Sequence, residues 1–186
     1  MVANFPCQVD VIAAHLSTAQ PSGHYLQEHL SIYYQNVRGL RTKIDELFIA
    51  VSDAEYDVIV LTETWLNDQI NSLQLFGSKY TAYRNDRDPD STGKKRGGGV
   101  LIAVSNRLSS KQKNARTDLE QLWVDIRGRD TNICVGVVYI PPDSACDSDT
   151  IQKHIDSALD IATSIQPNTD HLLFDKKKKK PDGGLN

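Results

Sequence analysis

The chain has 186 residues, of which 39% are hydrophobic and 24% charged, a composition that fits one globular domain and excludes a disordered or fibrous protein. Its formal net charge is −3, but five of its 21 basic residues form one run, Lys176–Lys180. Residues 1–175 therefore carry 16 basic and 23 acidic side chains. This acidic body argues against broad electrostatic binding to nucleic acid, whereas carboxylates remain suitable ligands for Mg²⁺.

Cysteine usage and hydropathy restrict the cellular setting. Cys7, Cys134 and Cys146 form no C-x-x-C pair, so we interpret them as reduced thiols of an intracellular protein, with Cys134 in the core. No apolar run reaches the roughly 18 residues of a membrane span. The N-terminus lacks the basic start of a signal peptide. Residues 1–30 show no sustained period, and we interpret them as a leader or linker, with regular structure starting at Ser31.

The first predicted elements form a βαβ unit. Residues 31–36 are β-branched and aromatic and predict a strand. Residues 57–62 are a continuous apolar run, which predicts a strand buried on both faces. Between them, four apolar residues at i, i+3, i+4 and i+7 predict one face of an amphipathic helix: Ile44, Leu47, Phe48 and Val51. Strand, helix and buried strand indicate an α/β protein.

More strands follow in the second half of the chain. Residues 80–83 and 100–104 predict strands on either side of a polar loop, 85–96. Residues 122–127 alternate between apolar and polar, which predicts a half-exposed strand. Residues 132–139 predict a further strand, which Pro141 and Pro142 stop.

One helix and one strand complete the pattern. Ser148 or Asp149 is a suitable cap for a second helix. Residues 171–174 begin one more apolar strand. The apolar positions of the helix predict its inner face as Ile151, Ile155, Ala158, Leu159, Ala162 and Ile165.

Three polar residues lie at or near the C-terminal ends of apolar strands: Asn36, Glu63 and Tyr139. Strand ends are where α/β proteins assemble their sites. Taken singly, each residue has an ordinary explanation, because Asn forms turns, Glu is solvated and Tyr packs with a wet hydroxyl. Their surrounding sequence favours a shared site. That sequence consists of Gln35–Leu40, Leu61–Leu66, Arg96–Val100 and Val138–Pro142.

In this order and at these spacings, the four segments resemble the endonuclease/exonuclease/phosphatase superfamily. Within it, the segment Asn-Val-Arg-Gly-Leu-Arg-Thr-Lys-Ile, which begins at Asn36, is similar to the apurinic-type endonuclease domain of non-LTR, Jockey-like retrotransposons. The resemblance covers roughly residues 31–174. It implies a four-layer, DNase I-like α/β sandwich in which two sheets pack face to face with helices outside each.

The resemblance also implies roles and partners. Glu63 matches the glutamate that holds the catalytic Mg²⁺ (Mn²⁺ being an alternative ion), and Asn36 matches the asparagine that helps position the metal or phosphate. Tyr139 matches the tyrosine that contacts the scissile phosphate. The implied function is a metal-dependent phosphodiesterase that nicks DNA in the nucleus, with neither a membrane nor a small-molecule cofactor involved.

The sequence departs from the family pattern after Phe174. The family continues with Gly-Asp-Phe-Asn, whereas Asp175 and five lysines follow here, so that Asp175 is at best the motif aspartate with its glycine lost. The later Ser-Asp-His segment is also missing. We therefore expect a truncated domain with background activity, one sheet face lacking its partner, and a marginally stable monomer prone to aggregation.

The remaining interpretations concern the domain division, an alternative function and two local features of the sequence. The chain divides into the leader, a partial domain at 31–175 and a Lys-rich tail at 176–186. A non-catalytic module that binds nucleic acid or protein is the alternative function, with the lysine tail as its support. We interpret Trp65 as a packing residue rather than a base-stacking platform. The Lys94–Arg96 cluster is either a contact to the DNA backbone or part of a solvated loop.

Overall fold

A computed structural model describes residues 9–18, 30–53, 55–87, 97–115, 119–127, 131–141, 148–164 and 171–175. The strands in these ranges are β1 Val9–Thr18, β2 Ile32–Asn36, β3 Val58–Thr62, β4 Tyr80–Asn85, β5 Val100–Ser105, β6 Ser109–Gln112, β7 Gln121–Arg127, β8 Thr131–Ile140 and β9 His171–Asp175. The helices are α1 Ile44–Asp53, α2 Ser72–Phe76 and α3 Ser148–Ser164. The Lys94–Arg96 cluster, the lysine tail, Cys7 and Cys146 lie outside the described ranges.

The first sheet has the strand order β2-β3-β5-β4. Its strands β2 and β3 run parallel, with Asn36 opposite Thr62, while β5 pairs antiparallel with both β3 and β4. The predicted βαβ unit is confirmed, because α1 connects the two parallel strands. Strand β3 is buried along its whole length, as its continuous apolar sequence predicted.

The second sheet has the order β6-β7-β8-β1-β9, and each of its neighbouring strand pairs is antiparallel. Strand β1 pairs with β8 from Val9 to Thr18 and with β9 from Val11 to His15. The expectation that regular structure begins at Ser31 is therefore wrong. Residues 9–18 show no sustained period in the sequence, and their strand is identified by its pairing with β8 and β9.

A shared core holds the two sheets together. Its side chains come from β3 and β5 on one side and from β7 and β8 on the other, and most of them have no exposed surface. The core consists of Val58, Val60, Val100, Ile102, Val104, Leu122, Val124, Ile126, Val135, Val137 and Tyr139. The expectation that one sheet face lacks its partner is thus wrong for the described residues, since these two faces cover each other.

Helices cover the outer faces. Residues of α1 and α2, including Leu47, Val51 and Leu75, pack on the first sheet. Ile161 of α3 packs on the second sheet against Trp123 and neighbouring residues. The order helix, sheet, sheet, helix confirms the predicted four-layer α/β fold.

Two predicted faces need correction. In α3, Ile155 and Leu159 are 47% and 56% exposed, whereas His154, Ser157 and Ile161 are buried. The helix turns this mixed face inward because the second sheet offers a polar partner: Gln121 Nε2 donates to Ser157 Oγ over 2.7 Å. Likewise, Phe48 of α1 is 42% exposed instead of lying on the inner face.

The helix α3 also changes the environment of β7. The sequence predicts a half-exposed strand there, but Trp123 is only 4% exposed because α3 covers the outer face of the sheet.

Two short elements were not predicted from the sequence, namely β6 and α2. The latter is set by a capping box in which Asn71 accepts from Leu73 N and Gln74 caps in return.

Candidate active site

Three strand ends meet at one carboxylate. Asn36 ends β2, Glu63 follows β3, and Tyr139 lies near the end of β8. Asn36 Nδ2 donates to Glu63 Oε1 over 3.3 Å, and the Tyr139 hydroxyl donates to the same oxygen over 3.2 Å. The first two residues are neighbours because β2 and β3 are parallel, and the third arrives through the packing of the two sheets. All three residues singled out in the sequence are thus brought together.

The backbone around Glu63 is held from both sides. Gly39 N donates to Glu63 O over 2.8 Å, and Thr64 N donates to Gly99 O over 3.2 Å. Glu63 and Trp65 adopt φ values of 53° and 54°, in the left-handed region that costs an L residue about 1–2 kcal/mol. Such strain persists where the surrounding structure fixes it and is frequent at functional sites.

The glycines before β5 are required by close packing. Gly98 and Gly99 have φ values of 70° and 83°. A Cβ on Gly99 would lie 2.6 Å from Thr64 Oγ1, and one on Gly98 would overlap the Arg87 guanidinium and the Glu120 carboxylate. The loop 97–99 therefore packs directly against the segment that contains Glu63. No phosphate-binding role is needed to explain these glycines.

Two charged residues beside the site were not predicted from the sequence. Arg87 Nε donates to Glu120 Oε1, and Glu120 Oε2 accepts from Gly99 N over 2.9 Å. The carbonyl of Glu120 accepts from Tyr139 N over 2.8 Å, and Arg87 Cζ lies 5.8 Å from the centre of the Tyr139 ring. The only sequence signal is that each residue flanks a strand, Arg87 after β4 and Glu120 before β7.

The environment fixes the protonation of Tyr139. Burial raises the pKa of its phenol well above the ordinary value of 10.0, and the Glu63 carboxylate raises it further. The Arg87 charge opposes this increase in the pKa, and Glu120 adds to it. The phenol therefore stays protonated at neutral pH, so Tyr139 acts as a hydrogen-bond donor and not as a base.

Trp65 packs beneath this site. It is partly buried, and a Cβ on Gly39 would lie 2.7 Å from its Cε3, so the indole covers that glycine. Its Nε1 is buried and has no hydrogen-bond partner among the described residues. This arrangement favours the packing interpretation over a base-stacking platform, since a ring against its own backbone does not present that face to a base.

The register of the second sheet bears on Asp175. Asp175 lies opposite Val11, which lies opposite Val138, whereas Asp10 lies opposite Tyr139. Residues directly opposite each other in an antiparallel pair belong to one cross-strand row, and consecutive rows alternate between the faces. Backbone register therefore places Asp10, and not Asp175, in the row of Tyr139.

The side chains present suit a hard cation. Within the described ranges no group of three or more His, Cys, Asp or Glu residues could hold a metal. Mg²⁺ is commonly bound through one or two carboxylates, with water and substrate phosphate completing its coordination. The Glu63 carboxylate, with the Asn36 amide adjoining it, is an oxygen donor set of this kind.

Comparison with protein families decides the wider assignment. The model of the endonuclease/exonuclease/phosphatase family matches residues 33–174, well over half of the chain. The chain belongs to this family. The matched range contains Asn36, Glu63 and Tyr139 and the strands from β2 to β9 except for one residue at each end, whereas β1 lies outside it. A search of curated proteins finds no match.

Membership in the endonuclease/exonuclease/phosphatase family supports a domain of nuclease or phosphatase type, in a family that generally depends on divalent metal. None of the described helices combines the length and apolar character that spanning a membrane requires.

Proposed function

We propose that this domain is of the Mg²⁺-dependent phosphodiesterase type that nicks DNA, with Mn²⁺ as an alternative ion, that it is incomplete, and that it derives from a non-LTR, Jockey-like retrotransposon. The observation that carries the proposal is the convergence of Asn36 and Tyr139 on Glu63 Oε1. Two donors on one carboxylate oxygen are a compact way to place a metal ligand beside groups that can bind phosphate.

Each residue then has a distinct role. Glu63 holds the cation, and the Asn36 amide positions the cation or a phosphate oxygen beside it. The Tyr139 hydroxyl, which its raised pKa keeps protonated, is the donor for a hydrogen bond to the scissile phosphate. The bound metal supplies Lewis-acid stabilisation of the charge that develops on the phosphate and on the departing oxygen.

The amino-acid sequence of these motifs supports DNA as the substrate class. It also supports the nucleus as the location of the protein. Residues 1–175 carry an excess of acidic side chains, so recognition by this body depends on local contacts and on the metal rather than on a broad basic surface.

We further propose that this chain has only background activity. Asp175 ends β9, and Lys176 and Lys177 follow it, where the family motif has the residues that orient water. Backbone register does not place Asp175 in the row of Tyr139. A general acid–base group contributes typically ~10²–10⁴-fold, so this replacement suffices to suppress turnover.

Two measurements test these proposals together. The first titrates Mn²⁺ into the full chain by calorimetry, comparing it with Glu63→Ala and with the exposed control Glu46→Ala. We expect binding that only Glu63→Ala loses. Binding that survives Glu63→Ala would overturn the assigned metal ligand.

The second measurement follows nicking of supercoiled plasmid with Mg²⁺. We expect the full chain and Glu63→Ala to give the same background. Metal-dependent nicking that Glu63→Ala loses would overturn the proposed inactivity and retain the endonuclease assignment.

The lysine tail supports the alternative, a non-catalytic nucleic-acid-binding module. Five consecutive lysines suit contact with phosphates, and such binding weakens steeply with salt. Salt-dependent DNA binding that disappears when residues 176–186 are deleted, without any Glu63-dependent metal binding, would favour this alternative.

A further inference from the structure

Arg87 and Glu120 form an ion pair beside the site that the proposed roles leave unused. Their side chains are 7% and 17% exposed. Charges removed from water to this extent need a partner, and the pair provides it. Arg87 Nη2 is buried and has no hydrogen-bond partner among the described residues, whereas Nε donates to Glu120 Oε1.

Glu120 links the two halves of the site. Its carboxylate accepts from Gly99 N over 2.9 Å, and Gly99 O in turn accepts from Thr64 N, next to Glu63. The main-chain carbonyl of Glu120 accepts from Tyr139 N over 2.8 Å. One residue therefore joins the loop that fixes Glu63 to the strand that carries Tyr139.

The Arg87 guanidinium lies over the face of the Tyr139 ring. Its Cζ lies 5.8 Å from the ring centre, within the range in which a cation is attracted to the face of an aromatic ring. Since the phenol hydroxyl at the end of this ring donates to Glu63 Oε1, a tilt of the ring would move the hydroxyl off the carboxylate.

We propose that Arg87 and Glu120 are positioning residues, which hold the Tyr139 ring so that its hydroxyl stays on Glu63. This inference rests on the proposed function for the role of Tyr139, but its geometry concerns the metal-free protein. The competing explanation is that the pair only stabilises the fold.

The test uses the metal-free full chain with ¹³C at the Cζ of its seven tyrosines. The Tyr139 resonance is identified by its loss in Tyr139→Phe. We expect Arg87→Gln to move it toward the position of solvent-exposed tyrosines. Arg87→Lys should restore it only in part, because an ammonium lacks the fork of a guanidinium.

The matched control is Arg84→Gln. Arg84 is also partly buried and paired, with Asp86, and its side chain is 14% exposed. Its other contacts are the carbonyls of Asn67 and Ile70. It should lower the thermal midpoint and leave the Tyr139 resonance in place.

A Tyr139 resonance that Arg87→Gln leaves unmoved, even with a lower thermal midpoint, would overturn the positioning role. If Arg87→Gln does not fold, Glu120→Gln serves instead, because it keeps an acceptor for Gly99 N while removing the charge that orients Arg87. A resonance that responds while Glu63-dependent metal binding is absent would retain the positioning role and reject the proposed function.

Discussion

Tyr139 donates to Glu63 Oε1 over 3.2 Å although the two residues lie 76 positions apart, one in the second sheet and the other directly after a strand of the first. The same oxygen accepts from Asn36 Nδ2. The two hydrogen bonds hold the carboxylate in place in the metal-free protein. This relationship makes Tyr139 a reporter of the site in the metal-free protein.

Removing the Tyr139 hydroxyl should destabilise the fold measurably. A hydrogen bond to a charged group contributes about 1.5–3 kcal/mol, and partial exposure of Glu63 reduces this to about 1 kcal/mol for Tyr139→Phe. Urea denaturation measures the change. Tyr33→Phe is the control, because its hydroxyl donates to Gln35 at an exposed position and should change stability little. Equal effects of the two substitutions would contradict the prediction.

The glycine loop gives a prediction with an internal comparison. Gly98→Ala and Gly77→Ala both place a Cβ on a residue with positive φ, which costs about 1–2 kcal/mol. Only Gly98→Ala also drives the Cβ into Arg87 and Glu120, whereas the nearest atom to a Cβ on Gly77 is Phe48 Cε2 at 3.6 Å. Chemical denaturation should therefore show a clearly larger loss for Gly98→Ala. Similar losses would mean that the Arg87 and Glu120 side chains move away from the added Cβ without a further loss of stability.

The position of β1 is tested by proline. Ala14 lies opposite both Val135 and Leu172, so its strand has neighbours on both sides. Proline removes a ladder hydrogen bond and is poorly tolerated in a central strand. Ala14→Pro should destabilise the protein by at least about 1–3 kcal/mol, the cost of an unsatisfied buried backbone group. Thermal unfolding measures this against Ala3→Pro, outside β1. A leader peptide would tolerate both substitutions.

Truncation of a side chain should destabilise the protein on the inner face of α3 and have little effect on its outer face. Ile161→Ala removes a side chain that is 7% exposed and packed in the core, for which losses of about 2–5 kcal/mol are typical. Ile155→Ala removes one that is 47% exposed and should stay within about 0.5 kcal/mol. Urea denaturation compares the pair. The reverse order would restore the inner face predicted from the sequence.

Cys134 should make stability depend on alkaline pH. Burial, followed by the neighbouring Asp125, raises the pKa of its thiol from 9.0 to about 12. A folded-state pKa above the unfolded value gives a stabilisation that is complete below pH 9 and is lost as the pH rises toward 12. Denaturation between these pH values should show a decline that is smaller in Cys134→Ala. Identical pH profiles would exclude a contribution from this thiol.

Periodicity and motif order were sufficient for much of the architecture. The continuous apolar run at β3 and the helical spacing before it depend only on neighbouring residues, so the βαβ unit was predictable. The residues of the candidate site were predictable in the same way, because Asn36, Glu63 and Tyr139 each lie in a local sequence motif. Their meeting at one carboxylate oxygen agrees with that reading.

Only the tertiary structure decided which surfaces are covered. Local alternation along β7 indicates an exposed face, yet α3 buries Trp123 there, and the helix turns Ser157 inward because Gln121 provides a partner. The inner surface of an element depends on what packs against it, and that information lies far away in the chain.

The same reason explains the residues that the sequence did not indicate. Arg87 and Glu120 are 33 positions apart and become partners only when β4 and β7 bring their flanking loops to the glycines before β5. Strand β1 enters the second sheet through pairing with β8, more than a hundred residues later. The sequence by itself indicated the family and the three residues of the candidate site, since local patterns encode them. The positions of the ion pair and of β1 were decided by long-range strand pairing and by the need to pair charges removed from water.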